Sequence, residues 1–274
     1  MTRWRFLLTA APLAISLCPA WPAFPARAAT AQQSSGSPSS GAGAAPSAVQ
    51  PSAEQMPTPE QLLDRYVRAL GGESALRKIT SRDMKGTFAA PSVQLTGQAE
   101  IITAAPDKFF SRVTIPGEGE FVSAFDGKVG WSSDLRGSSR EMEGQELENM
   151  RRSSQFQHEL HFRELFAELR VLEKSTEDGR PVWVLEATPP AGSPEKFYFD
   201  AETGFLLRHD SVQLTPGSAI PIEHRYSDYS PVDGVQVPHT LRHKDPNVEW
   251  QVTFTEVHQN VSVDPARFAK PAGP

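Results

Sequence analysis

Seven histidines are the first residues of this 274-residue chain whose chemistry could define a site. His158 and His161 stand three apart on a segment that reads as helix, and His239 and His243 stand four apart on one face of a segment that reads as strand. Neither pair has a carboxylate beside it in a zinc-binding arrangement, and the HExxH spacing is absent. Capping or solvated histidines and no metal are the expectation. The Gly-x-Ser occurrences at Gly36 and Gly137 lack the frame of a nucleophile elbow, so no serine nucleophile is expected. There is no phosphate loop and no dinucleotide fingerprint, hence no expected cofactor. Glu141, Glu143, Glu146, Glu148, Arg151 and Arg152 have the spacing of a solvated helix face laced with ion pairs. The residues taken one by one therefore argue against an enzyme.

What remains is an inventory of aromatic side chains. Phe109, Phe121, Phe125, Trp131, Trp183, Phe197, Phe199, Trp250 and Phe254 all fall in segments that read as strands. Singly each is an ordinary core residue. Together, on a large curved sheet, they offer more concave apolar area than one or two helices can fill, which is how ligand cavities arise.

The elements that would position them follow from periodicity. Residues 1–31 read as a secretory signal peptide. Arg3 and Arg5 open it, an apolar run from Phe6 to Leu17 follows, and small residues frame cleavage after Ala28 or Ala31. An uncleaved anchor is the competing reading, but Pro12, Pro19, Pro22 and Pro25 interrupt the roughly 20 apolar residues that a spanning helix requires. Lipid attachment at Cys18, the lone cysteine, is a third, with Leu17 where a small residue is usual. Residues 32–57 read as a disordered linker: 19 of the 26 are Ser, Gly, Ala or Pro, too few apolar side chains to offset the entropy of ordering. Residues 58–274 form one domain.

The chain carries 27 basic and 33 acidic side chains, net −6. Loss of the signal removes three arginines and sharpens this to −9, a poor charge for nucleic-acid binding.

Thr58, Pro59 and Gln61 start a helix with a capping box, and Leu62, Leu63, Tyr66, Val67 and Leu70 continue it to Gly71 and Gly72. From residue 80 the period becomes two, in a series of short segments divided by turns such as Asp126-Gly127, Pro216-Gly217 and Asp233-Gly234. Residues 141–166 interrupt the series with two helical pieces, near 143–153 and 158–167. The fold class predicted is α+β: a strongly curved antiparallel sheet of about 11 strands, a half-open barrel, with helices inserted mid-chain to cover it.

Several motifs carry a family resemblance. The run Pro106 to Phe110, followed by Asp126, Gly127, Lys128 and Trp131, resembles the outer-membrane lipoprotein carrier and lipoprotein-sorting (LolA/LolB-like) superfamily. There a proline-led strand precedes a strand bearing D-G-K-x-x-W. The closing run from Val263 and Asp264 through Phe268 and Pro271 to Gly273 is similar to that family's V-D-x-A-[KR]-F-x-x-P-x-G. Ala69 to Gly72, Phe199 to Gly204 and Val232 to Val235 resemble an uncharacterised bacterial branch.

The resemblance implies a half-open barrel with a lid, carrying here Leu147, Met150, Phe156, Phe162 and Phe166. It implies a hydrophobic cavity for acyl chains, no catalysis, a periplasmic location and a monomer. The partners implied are a hydrophobic ligand or lipidated protein, with an envelope protein as a further candidate. In the carrier proper a basic residue just before the strand-starting proline tethers the lid. Ala105 stands there in this chain, with Arg112 as the nearest substitute. A scaffold module using the same fold without transport is the alternative.

Overall fold

The computed structural model describes residues 55–215 and 218–271, so the expected signal peptide and nearly all of the linker lie outside the described residues. The chain runs α1 (Pro59–Ala69), α2 (Glu73–Leu76), β1 (Ser81–Ala90), β2 (Leu95–Ala104), β3 (Lys108–Ile115), β4 (Gly119–Phe125), β5 (Gly130–Ser133) and β6 (Ser139–Glu141). Two helices follow, α3 (Gly144–Ser153) and α4 (Phe162–Leu165), with a 3₁₀ turn over His158–Leu160 between them. Then come β7 (Glu168–Glu177), β8 (Arg180–Thr188), β9 (Glu195–Asp200), β10 (Leu206–Thr215), β11 (Ser218–Val232), β12 (Val235–Lys244) and β13 (Glu249–Gln259).

All thirteen strands belong to one antiparallel sheet in the order β6-β5-β4-β3-β2-β1-β13-β12-β11-β10-β9-β8-β7. Thirteen replaces the expected count of about 11. The sequence conceals β6 most thoroughly, because its three residues, Ser139, Arg140 and Glu141, are all exposed and show no alternation. Apart from β6 and β7, strands adjacent in the chain pair with each other, and β1 pairs with β13. A pairing of β6 with β7 would have closed a barrel. Residues 142–167 are inserted there instead, and α3 touches β5 on one wall and β10 on the other. Among the described residues, no helix is long and apolar enough to cross a membrane.

The alternation of side chains sorts the two faces. On the inner face, helices and sheet share one large apolar core, in which Phe125, Phe197 and Phe199 are 0 % exposed. On the outer face a small second cluster, Ile102, Phe110, Ala124 and Trp131, is covered by Phe268 of the C-terminal segment. A β-bulge lies on β13: Lys85 pairs with Glu256 but Gly86 with Phe254, leaving Thr255 over. Beyond the bulge the inward positions shift from even numbers to odd, so Val257 and Gln259 continue the face of Trp250, Val252 and Phe254.

Candidate functional site

The inner face collects most of the aromatic residues named from the sequence. Phe109, Phe125, Trp183, Phe197, Phe199, Trp250 and Phe254 are buried in its core, and Phe121 packs against it half-buried. Trp131 lies on the opposite face, because its register partner is the outward Ala124; its Nε1 donates to the Phe268 carbonyl at 3.0 Å. From the helical segment, Met150, Phe156, Phe162 and Phe166 are buried against this floor, with Leu147 beside them. The rings form one contiguous stack. Phe162 meets Phe197 edge-on at 5.0 Å and Phe166 face-on at 5.5 Å, and Tyr66 of α1 lies 5.1 Å from Phe199.

Few polar contacts hold this cover. Phe156 N and Gln155 Nε2 both donate to the Pro106 carbonyl, at 2.9 and 3.3 Å. Gln157 Nε2 donates to the carbonyls of Ile79, at 2.8 Å, and Leu76. The strand-starting proline thus does tether the covering segment, through its own carbonyl, where Ala105 offers no charge. Arg112 is occupied on the outer face, 2.7 Å from Glu100, which Arg267 also reaches.

Two ion pairs at 2.6 Å add to these: Arg140 of β6 with Glu146 of α3, which is partly exposed, and a buried one. Arg152 of α3 places Nη2 2.6 Å from Glu195 Oε1, with Glu195 0 % exposed, and its guanidinium lies over the Phe166 ring. The other Glu195 oxygen is 3.0 Å from His209 Nε2.

His209 opens a row that the sequence reading missed. Phe197, His209, His224, His243 and Trp250 are successive register partners on β9, β10, β11, β12 and β13. Their rings stack in turn, Phe197 to His209 at 4.5 Å and His243 to Trp250 at 4.7 Å. His224 Nε2 and His243 Nδ1 share a hydrogen bond of 3.0 Å, and His243 Nε2 is 3.3 Å from Asp245. Burial, reinforced by the neighbouring His243 and His209, holds His224 well below the usual imidazole range. Burial works against the charge of Asp245, but hydrogen bonds from His243, Asn247 and Val248 outweigh it and keep that carboxyl low. His243 also lines a polar recess of about 160 Å³ with Glu223, Arg225, Arg242, Lys244 and Glu249.

The signal for this row was present. The register sets Thr215 opposite Ser218, and counting back sets His209 opposite His224. The Asp233-Gly234 turn sets His224 opposite His243 in the same way.

The pairs the sequence singled out do not act together. His158 sits near Glu159, His161 contacts Glu164, and His239 bonds to Ser230 and the Val237 carbonyl. Among the described residues, no three metal-ligating side chains converge, and no hydroxyl is hydrogen-bonded to His209, His224 or His243.

The sequence matches no family model and no curated protein. The fold does have solved counterparts. A DUF1329 family protein from Desulfovibrio piger superposes with a TM-score of 0.54 at 13% identity, covering 77% of this chain and 96% of its own. A LolA superfamily protein from Nitrosomonas europaea gives 0.52 at 13% identity, covering 78% and 98%. A putative outer membrane lipoprotein-sorting protein domain from Vibrio parahaemolyticus gives 0.52 at 10% identity, covering 77% and 97%. The described chain, an unclosed antiparallel barrel with a helical insert between its edges, has the fold of the LolA superfamily.

Proposed function

We propose that the chain is an exported, periplasmic, non-enzymatic member of the LolA-like superfamily that binds a hydrophobic ligand, an acyl chain of a lipid or lipoprotein, on the inner face of the sheet. The observation that carries this reading is the contrast between floor and cover. A continuous aromatic floor with Phe197 and Phe199 at 0 % exposure lies beneath a short helical segment attached at few points. The likeness in fold to the putative outer membrane lipoprotein-sorting protein domain from Vibrio parahaemolyticus agrees with it.

Because the cover already fills the floor, a ligand enters by displacing α3 and α4, taking over the contacts of Met150, Phe156, Phe162 and Phe166. An acyl chain of about 16 carbons gains on the order of 10 kcal/mol gross from burial, at about 0.8 kcal/mol per methylene. That is enough to offset loss of the cover's apolar contacts and still release the ligand to a stronger acceptor.

The same fullness of the interior favours a second reading, a scaffold that binds an envelope protein through its outer surfaces and never opens. Native mass spectrometry of protein taken directly from a periplasmic extract separates the two. The carrier reading expects a mass increment that dissociates as lipid. A protein that is always ligand-free, ignores lipid probes and co-purifies with a stoichiometric protein partner establishes the scaffold instead.

A further inference from the structure

Two cations face the covering helices, and among the described residues only one of them is in a contact ion pair. Arg152 is matched by Glu195. Arg82, the second residue of β1, shares the inward side of that strand with Met84, Phe88 and Ala90. Its Nε is shielded from solvent and has no hydrogen-bond partner among the described residues, and Arg82 forms no ion pair there. Burial lowers its affinity for its own proton and outweighs Glu159 and Tyr66, which act in the opposite sense. Glu159, the carboxylate that bears on it, lies 3.5 Å from His158 instead.

Directly opposite Arg82 in the sheet is Gln259. The Gln259 Nε2 donates to the Val232 carbonyl at 2.9 Å, while its Oε1 is also shielded and without a partner. An unsatisfied donor and an unsatisfied acceptor thus stand side by side on the floor. Tyr66 lies within reach of the Arg82 charge, and burial raises the pKa of its phenol. A guanidinium left without a counter-ion in such surroundings is costly unless something supplies one.

We infer that Arg82 and Gln259 form a head-group station for the oxyanion of a bound amphiphile, whose chain lies along the adjoining floor of Met84, Ile101 and Phe254. The guanidinium fork receives the carboxylate or phosphate oxygens, and the Gln259 carbonyl accepts from a hydroxyl of the head. This rests on the carrier reading and narrows it to anionic ligands.

The test uses the purified folded protein with chain-matched probes: palmitate, palmitamide as its neutral analogue, and a palmitoyl lysophosphatidic acid to distinguish carboxylate from phosphate. Both anions are expected to bind at least about 10-fold more tightly than the amide, a difference of about 1.4 kcal/mol. Arg82→Met should erase that preference while leaving the amide affinity unchanged, and Arg82→Lys should keep part of it. Because no counter-ion is lost, Arg82→Met should also raise the unfolding midpoint of the ligand-free protein.

Amide and anions binding equally to the wild type would overturn the station and leave the carrier intact. Anion preference surviving in Arg82→Met, or marked destabilisation of that variant, would overturn it as well. Failure of all three probes would remove both the station and the carrier reading.

Discussion

Two helical pieces rest on the same concave floor and are held there by different means. α1 is fixed along its length. Its capping box is complete, with Thr58 N donating to Gln61 Oε1 at 2.9 Å and Gln61 N to Thr58 Oγ1 at 3.3 Å. Leu62, Leu63, Tyr66 and the following Leu70 are buried. The helix then ends against the β11–β12 turn. Gly71, at φ +116°, brings its Cα so close that any Cβ would stand 2.4 Å from the Gly234 carbonyl oxygen, and Gln236 N donates to the Leu70 carbonyl at 2.9 Å.

α3 has none of this. Glu143 gives it no side-chain cap, and Asn149, Met150 and Arg152 are its buried residues. Its anchors are the buried Arg152–Glu195 pair and the more exposed Arg140–Glu146 pair. Apolar area yields gradually as a helix shifts, whereas an ion pair in a dry setting is either made or broken. On the carrier reading proposed above, the difference makes α1 the permanent plug and α3 with α4 the displaceable cover.

Three measurements bear on that contrast. The largest effect is expected from Glu195→Ala, which leaves Arg152 shielded without its carboxylate and should cost about 3–5 kcal/mol in chemical denaturation. Adding Arg152→Met should recover most of the loss. In hydrogen exchange, the single variant should lose protection in α3 first while α1 keeps its own; equal loss in both would abolish the distinction.

The next concerns acid. His224 is neutral in the folded state because burial depresses its pKa, whereas in the unfolded chain it titrates near 6.5. The unfolded state therefore binds the extra proton first. Stability is full above pH 6.5 and falls as pH drops below it, by up to about 1.4 kcal/mol per pH unit, until the folded pKa is reached. His224→Gln should flatten that slope in a series of urea midpoints, and an unchanged slope would take the histidine row out of the account.

Smallest is Thr58→Ala, which should cost about 1 kcal/mol through α1 alone and leave ligand binding unaltered. A change in ligand affinity there would mean that the plug moves too.

Much of the architecture was legible because local rules governed it. The capping box at Thr58 and Gln61, the two-residue periods and the Asp233-Gly234 turn all specify their own surroundings, and α3 and α4 fall where proline-free, Leu- and Phe-bearing stretches indicated. Three features resisted for physical reasons. The short β6 has no buried face to leave a pattern. Trp131 followed its register partner Ala124 outward, which no single-strand pattern reveals. The histidine row requires three strands to be aligned at once, so scanning for pairs close in sequence found His158 with His161 and His239 with His243, and missed that His243 aligns with His224 and His209. Arg82 was readable in principle, since it alternates with Met84 and Phe88 on an apolar face. Its unpaired state, however, depends on Gln259, which faces inward only because the bulge at Thr255 reverses the parity of β13.

The central seam of the sheet is also the junction of its most distant segments. β1 to β6 can zip together as neighbours, as can β7 to β13, each at the small entropic cost of short loops. Joining β1 to β13 sets Arg82 beside Gln259 across nearly the whole folded chain. The two walls can therefore exist before the vessel does. By loop-closure entropy that joining, which needs the last strand of the sheet, is expected to be the slow, length-dependent event of folding.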